Sequence, residues 1–224
     1  MTQKRSLRRT LKPDRAGVAT VEFALGLPLV LTLALWGAEL GNLAITNMRV
    51  SQLAVQLADN GSRIGDVSML ENLRIYESDI NDILSGAKVQ SGNLDLFEHG
   101  RVMISSLEVA PGTEDTQYIH WQRCKGKRHA QSAYGAEGSG LDGSLAGMGM
   151  AGEEVTASQG DAVIFVEIEY AYQPIVSENF VPNAVIRTTA TFNVRDDRDL
   201  AQIYQRDTAR PDPVARCTVY DGYS

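Results

Sequence analysis

A lone carboxylate opens the most apolar stretch of the chain. Glu22 precedes an uncharged run from Phe23 to Ala38, and Gly17 lies five residues before the acid. An ionised carboxylate at membrane depth costs about 3 kcal/mol or more unless it is paired. Glu22 is therefore either solvated at the headgroup boundary or paired with a positive charge. Gly17 has no side chain, so the backbone at this position is accessible and can adopt an extended conformation.

Other reactive side chains give weaker signals. The sequence has no Gly-x-Ser-x-Gly motif, no His-Glu-x-x-His motif and no phosphate-binding glycine loop ahead of a helix. Glu167 and Glu169 share the outer face of a predicted strand, where we expect both acids to be solvated. The sequence therefore predicts no enzymatic activity and no cofactor.

The chain has two cysteines, Cys124 and Cys217. In an oxidising compartment such a pair usually forms a disulfide, and the alternative is two free thiols. His120 and His129 lie close to Cys124 and raise the option of a metal site. Their spacing fits no zinc pattern and leaves a fourth ligand undefined, so we expect no metal.

Charge is distributed unevenly along the chain. The whole protein has a net charge of −7, which argues against a nucleic-acid partner. Residues 1–17, however, carry six basic side chains and one acidic side chain. A bilayer needs about 20 apolar residues, so a single transmembrane segment is predicted at about residues 18–45. By the positive-inside rule, the basic residues within 1–17 place the N-terminus in the cytoplasm and the residues after the transmembrane segment outside it.

One long helix is predicted over residues 18–60. Its first part is transmembrane and its second part is amphipathic, and Asn60-Gly61 supplies a stop signal. At 1.5 Å per residue it is about 63 Å long, roughly twice a bilayer core, so its outer half must stand in water or pack on the exported domain. Pro28 removes one backbone hydrogen bond and is expected to kink the helix.

The exported part, residues 61–224, is predicted to have an α+β fold. Residues 66–84 indicate a second helix with a capping box from Ser68 to Glu71. Residues 126–160 contain nine glycines and are predicted to be a long mobile loop that buries no core. Alternating patterns predict an antiparallel sheet of about four strands, at 101–109, 117–123, 161–172 and 186–194.

The segment GVATVE, residues 17–22, together with the apolar helix after it, resembles a type IV prepilin leader. The fuller pattern is similar to the TadE-like pseudopilins of the tight-adherence (Tad/Flp) pilus systems. It comprises Arg15-x-Gly17, Ala19–Leu25, Pro28 and Glu39-Leu40-Gly41, followed downstream by WQRC at 121–124 and EYAYQP at 169–174.

The resemblance implies that residues 1–17 are a leader, which a prepilin peptidase removes by cutting between Gly17 and Val18. Glu22 would then pair with the new amine of a neighbouring subunit and set the helix register. One departure is that Val18 stands where many type IV pilins have phenylalanine.

The resemblance also implies a pilin-like fold and a single-pass protein of the bacterial inner membrane, with a periplasmic C-terminal domain that could reach the pilus or cell surface. The implied partners are the prepilin peptidase, other pilins and the inner-membrane assembly platform. A domain of about 160 residues favours a minor pseudopilin over the bulk filament subunit.

Two alternatives remain open. Arg8-Arg9 faintly resembles a twin-arginine signal, and Ala34–Ala38 offers small residues for signal peptidase, which would release a secreted binding domain. The chain could also remain an uncleaved, single-span anchor for an extracytoplasmic binding domain.

Overall fold

The computed structural model describes residues 16–68, 71–195 and 197–222. Its longest element is helix α1, Ala16–Gly61, which continues through Pro28. The Thr32 hydroxyl donates to the Pro28 carbonyl at 2.8 Å. The kink at Pro28 stays a prediction.

The remaining elements follow α1 in chain order. The further helices are α2, Glu77–Ser91, and the short α3, Leu96–His99. The strands are β1, Asp66–Ser68; β2, Glu71–Arg74; β3, Gly100–Val109; β4, Gln117–Lys125; β5, Met148–Met150; β6, Glu153–Val155; β7, Ala162–Ala171; and β8, Val185–Asn193. The main sheet has the order β4-β3-β7-β8 with every pair antiparallel, which confirms the predicted α+β class.

The outer half of α1 is part of the domain core. Val50, Leu53 and Leu57 are buried against the inner face of the main sheet, where Ile164 and Ile168 are also buried. A Cβ at Gly61 would lie 2.9 Å from Ile164, so the end of α1 passes close to the start of β7. The domain therefore cannot be separated from the helix without losing core.

The predicted second helix over residues 66–84 is wrong at both ends, since α2 spans Glu77–Ser91. The backbone of residues 66–68 and 71–74 is extended, and α2 begins at Glu77. The proposed capping pair of Ser68 and Glu71 falls on side chains outside the described residues. The carboxylate of Asp79 instead accepts from the Tyr76 N–H at 3.0 Å and caps α2.

Long-range hydrogen bonds explain the extended segment. The Leu73 N–H donates to Asp197, and the Asp199 N–H donates to Leu73, both at 2.9 Å. Buried Arg198 also donates to the Ile64 carbonyl at 2.7 Å. The residues after β8 thus supply hydrogen-bond partners for the backbone of β2. These long-range bonds hold β2 extended and replace the bonds that a helix would make.

The prediction that residues 126–160 bury no core is also wrong. Met148 and Ala157 are buried in a second apolar cluster with Leu107, Ile119 and Phe165 on the other face of the sheet. All nine glycines in the segment have positive φ. A Cβ at Gly126 would lie 2.2 Å from the Gly100 carbonyl oxygen, and one at Gly140 would lie 2.3 Å from that of Gln117. These glycines let the segment lie directly on the strands.

Candidate functional site

The predicted cleavage point lies at the very start of α1. Gly17 and Val18 are in the first described turn, and Val18 is exposed. Apart from its chain neighbours and the backbone of its own helix, no described residue has a heavy atom within 4 Å of a Cβ placed at Gly17. A protease that binds an extended backbone would have to unwind this turn, which glycine makes easier because of its poor helix propensity.

Glu22 is also exposed on the helix. It makes no hydrogen bond or ion pair with any other described residue. Large apolar side chains surround it along the helix and are exposed as well, among them Val21, Phe23 and Leu25. The structure therefore leaves this carboxylate available to a group outside the described chain.

The first part of α1 stands clear of the domain. The helix is long and apolar enough to cross a membrane, which is compatible with single-pass anchoring. Residues 18–38 are nearly all exposed, and the first fully buried side chain is that of Glu39. Those 21 residues span about 31 Å as a helix, which matches a hydrocarbon core of about 30 Å. We call residues 18–38 the anchor segment.

Glu39 forms the junction between the anchor segment and the domain. Its side chain has 0% exposure. It accepts hydrogen bonds from the Tyr172 hydroxyl at 2.5 Å, the Val176 N–H at 2.7 Å and the Ile175 N–H at 3.3 Å. The Asn42 amide donates to the same Tyr172 oxygen at 2.7 Å. We call this arrangement the Glu39 junction.

The Glu39 junction fixes how the helix leaves the domain. Three donors aimed at one carboxylate satisfy a buried charge that would otherwise be costly. The sequence alone does not predict this role, because Glu39 enters there only through the Glu39-Leu40-Gly41 pattern and the transmembrane segment at about residues 18–45. The signal that could have found it is the partner segment EYAYQP, which holds Tyr172 and reaches Pro174 just before the two donor N–H groups.

The predicted disulfide between Cys124 and Cys217 is present. It fastens the C-terminal tail to β4, and buried Arg101 on β3 holds the same tail. Its guanidinium donates to the carbonyls of Cys217 at 2.6 Å and Val219 at 3.1 Å, and lies 4.0 Å from the Tyr220 ring centroid. Burial lowers the pKa of Arg101, while Tyr220 and Asp221 act in the opposite direction.

The two histidines near Cys124 have separate partners. The Nδ1 atom of His120 lies 2.8 Å from a carboxylate oxygen of Glu108, and this hydrogen bond raises the pKa of His120. His129 stacks on Tyr220 with ring centroids 4.2 Å apart. Within the part of the chain that the structure describes, no group of His, Cys, Asp and Glu side chains is arranged to hold a metal.

The expectation that Glu167 and Glu169 are both solvated is wrong. Glu167 is 6% exposed, and one of its oxygens accepts from the Ala133 N–H at 3.0 Å. Burial raises the pKa of this carboxyl. Glu169 pairs with Arg128 at 2.7 Å and Arg187 at 2.9 Å. The glycine-rich segment covers this face, and strand alternation alone could not reveal that cover.

These features define a chain with an apolar N-terminal helix whose outer half packs on an α+β domain. Residues 17–59 match the model of a family described as TadE-like protein. The match confirms the predicted resemblance to TadE-like proteins over these residues. It starts at Gly17 and ends two residues before α1 does, so the sheet lies outside it. No curated protein and no solved structure gives a significant match.

Proposed function

We propose that the chain is a minor pseudopilin needed to build a Tad/Flp type IV pilus, in which it assists, primes or supports assembly and so promotes surface adherence. The observation that carries this proposal is the family match, which begins at Gly17 and covers the anchor segment and Glu39 itself. The role is non-catalytic. It depends on helix packing in the membrane and on one charge pair.

Maturation begins with a prepilin peptidase that cuts between Gly17 and Val18. The new α-amino group lies four residues from Glu22, about 6 Å along the helix axis. Glu22 pairs with the amine of a neighbouring pilin, and this neutralises two charges near the membrane boundary. Because only one axial offset brings the two groups together, the pair sets the register between adjacent helices. The exposure of Glu22 supports this role.

The chain sits in the bacterial inner membrane with its N-terminus in the cytoplasm and its α+β domain in the periplasm. The six basic residues within 1–17 support this orientation. The disulfide supports it too, because such bonds persist in oxidising compartments. The partners are the peptidase, other pilins and the inner-membrane assembly platform.

Cleavage is tested by N-terminal sequencing of the chain extracted from membranes. We expect the wild-type chain to start at Val18 and the Gly17→Ala variant to keep its leader. Gly26→Ala is the matched control, since Gly26 lies in the same helix and a Cβ there also meets nothing within 4 Å. A start at Glu39 would indicate signal-peptidase release, and an intact wild-type leader would indicate an uncleaved anchor. Either result rejects the proposal.

The role of Glu22 is tested separately by counting pili. Glu22→Val should be cut normally, because the cleavage site is unchanged, but should assemble few pili. Glu22→Asp keeps the charge and should restore a large part of assembly. Wild-type pilus numbers in the Glu22→Val strain would remove the registering role while leaving the cleavage result intact.

A further inference from the structure

The loop between β7 and β8 presents apolar side chains at the membrane end of the domain. Ile175 is 64% exposed and Val176 is 38% exposed. Both backbone N–H groups are bonded to Glu39, so the loop is held against α1 while its side chains remain uncovered. We call Pro174–Val176 the junction loop.

The junction loop lies beside the end of the anchor segment. Trp36 is one helical turn before Glu39 and Leu40 directly follows it, and both are 46% exposed. Exposed apolar side chains of the anchor segment and of the junction loop therefore both lie close to Glu39. Trp at such a position is typical of the bilayer interface.

The opposite end of the main sheet lies far from the junction loop. The helix α1 runs antiparallel to β7, with Glu39 near Tyr172 and Gly61 near Ile164. Twenty-two helical residues separate the two levels, which is about 33 Å. Met150 is 73% exposed and belongs to the hairpin whose Met148 packs near the start of β7. It is an apolar side chain as exposed as Ile175 but distant from the anchor.

We propose that the junction loop is a second membrane contact, seated in the interfacial layer of the same bilayer that holds the anchor segment. This inference rests on the membrane insertion assumed in the proposed function. We assign lipid as the partner of the junction loop because the loop lies beside the end of the anchor segment. The hydrogen bonds to Glu39 hold the loop at the level where the anchor segment ends. Residues 173–183 contain one acid, Glu178, and no basic residue. The contact is therefore apolar rather than an attraction to anionic headgroups.

Two contacts give the domain a defined tilt. A single helix would let the domain rotate about the anchor axis and lean in any direction. With the junction loop also in the interfacial layer, the hydrogen bonds of the Glu39 junction hold the sheet at a fixed angle to the membrane surface. Glu39 is thus a positioning residue for the loop, and its carboxylate does not itself need to touch lipid.

The test uses the full chain in phosphatidylcholine nanodiscs, with an environment-sensitive fluorophore on a single introduced cysteine. The native cysteines are in a disulfide and do not label. Ile175→Cys reports on the loop, Met150→Cys is the exposed distal control, and Leu29→Cys reports on the anchor. Nitroxide-labelled lipids quench sites in the bilayer, and aqueous iodide quenches sites in water.

We expect shallow nitroxides to quench position 175 several-fold more strongly than position 150, and deep nitroxides to quench position 29 most. The result at position 175 should be the same when phosphatidylglycerol is added. Glu39→Gln, which removes the acceptor for one loop N–H, should weaken lipid quenching at position 175 and leave position 29 unchanged.

Failure of the loop contact and failure of membrane insertion give different quenching results. Iodide quenching at position 175 equal to that at position 150, with lipid quenching at position 29, overturns the loop contact and leaves the anchor. Iodide protection that grows with the protein-to-lipid ratio, without lipid quenching, assigns the loop to a second copy and also overturns the inference. Absence of lipid quenching at position 29 rejects membrane insertion itself.

Discussion

Removing the Cys124–Cys217 disulfide should destabilise the whole domain. The bond closes a loop with a sequence separation of 93 residues. In the chain-entropy model a loop of this length restricts the unfolded chain by about 4–5 kcal/mol at 25 °C. For a domain of this size, 1 kcal/mol shifts the melting temperature by about 2–4 °C. The Cys124→Ser, Cys217→Ser variant should therefore melt roughly 8–20 °C below the wild type.

The assay is thermal unfolding of the full chain in detergent, followed by circular dichroism, because the outer half of α1 belongs to the core and cannot be removed. Reduced wild-type protein is the matched control and should melt with the double variant. A shift below about 3 °C would refute the reasoning, since it would mean that the tail separates from β4 before the sheet unfolds.

Two further predictions concern the same domain. The pKa of His120 is raised in the folded protein. Its pair with Glu108 therefore stabilises the fold below the ordinary histidine pKa of about 6.5, and this stabilisation is lost as the pH rises through the raised pKa of the folded state. The melting temperature of His120→Gln should fall further below wild type at pH 5.5 than at pH 8.5; equal differences would contradict this. Gly126→Ala should cost about 3 kcal/mol or more by urea unfolding, against about 1 kcal/mol for Gly112→Ala, whose Cβ meets nothing; similar losses would contradict it.

Local patterns were sufficient for α1 and for the four strands of the main sheet. The apolar run from Phe23 and the stop signal at Asn60-Gly61 predict a helix close to α1. Alternation within residues 161–172 predicts β7, because Ile164, Val166 and Ile168 must share one face. The motif from Gly17 to Glu22 predicted the family match over the same helix.

Long-range partners explain what could not be predicted. The residues of β2 carry a helix-like spacing, yet their backbone is bonded to the segment around Asp197. Alternation places Glu167 on the outer face but cannot tell that residues 126–160 cover that face. The Glu39 junction needs Tyr172, which is 133 residues away in sequence. No pattern within a single helix or strand contains such information.

The central claim is that the anchor segment begins at a newly formed amine, which Glu22 neutralises in a neighbouring subunit. The most direct measurement is the intact mass of the chain purified from membranes of cells that contain the prepilin peptidase. A mass that lacks residues 1–17 agrees with the account. A mass that includes them contradicts it.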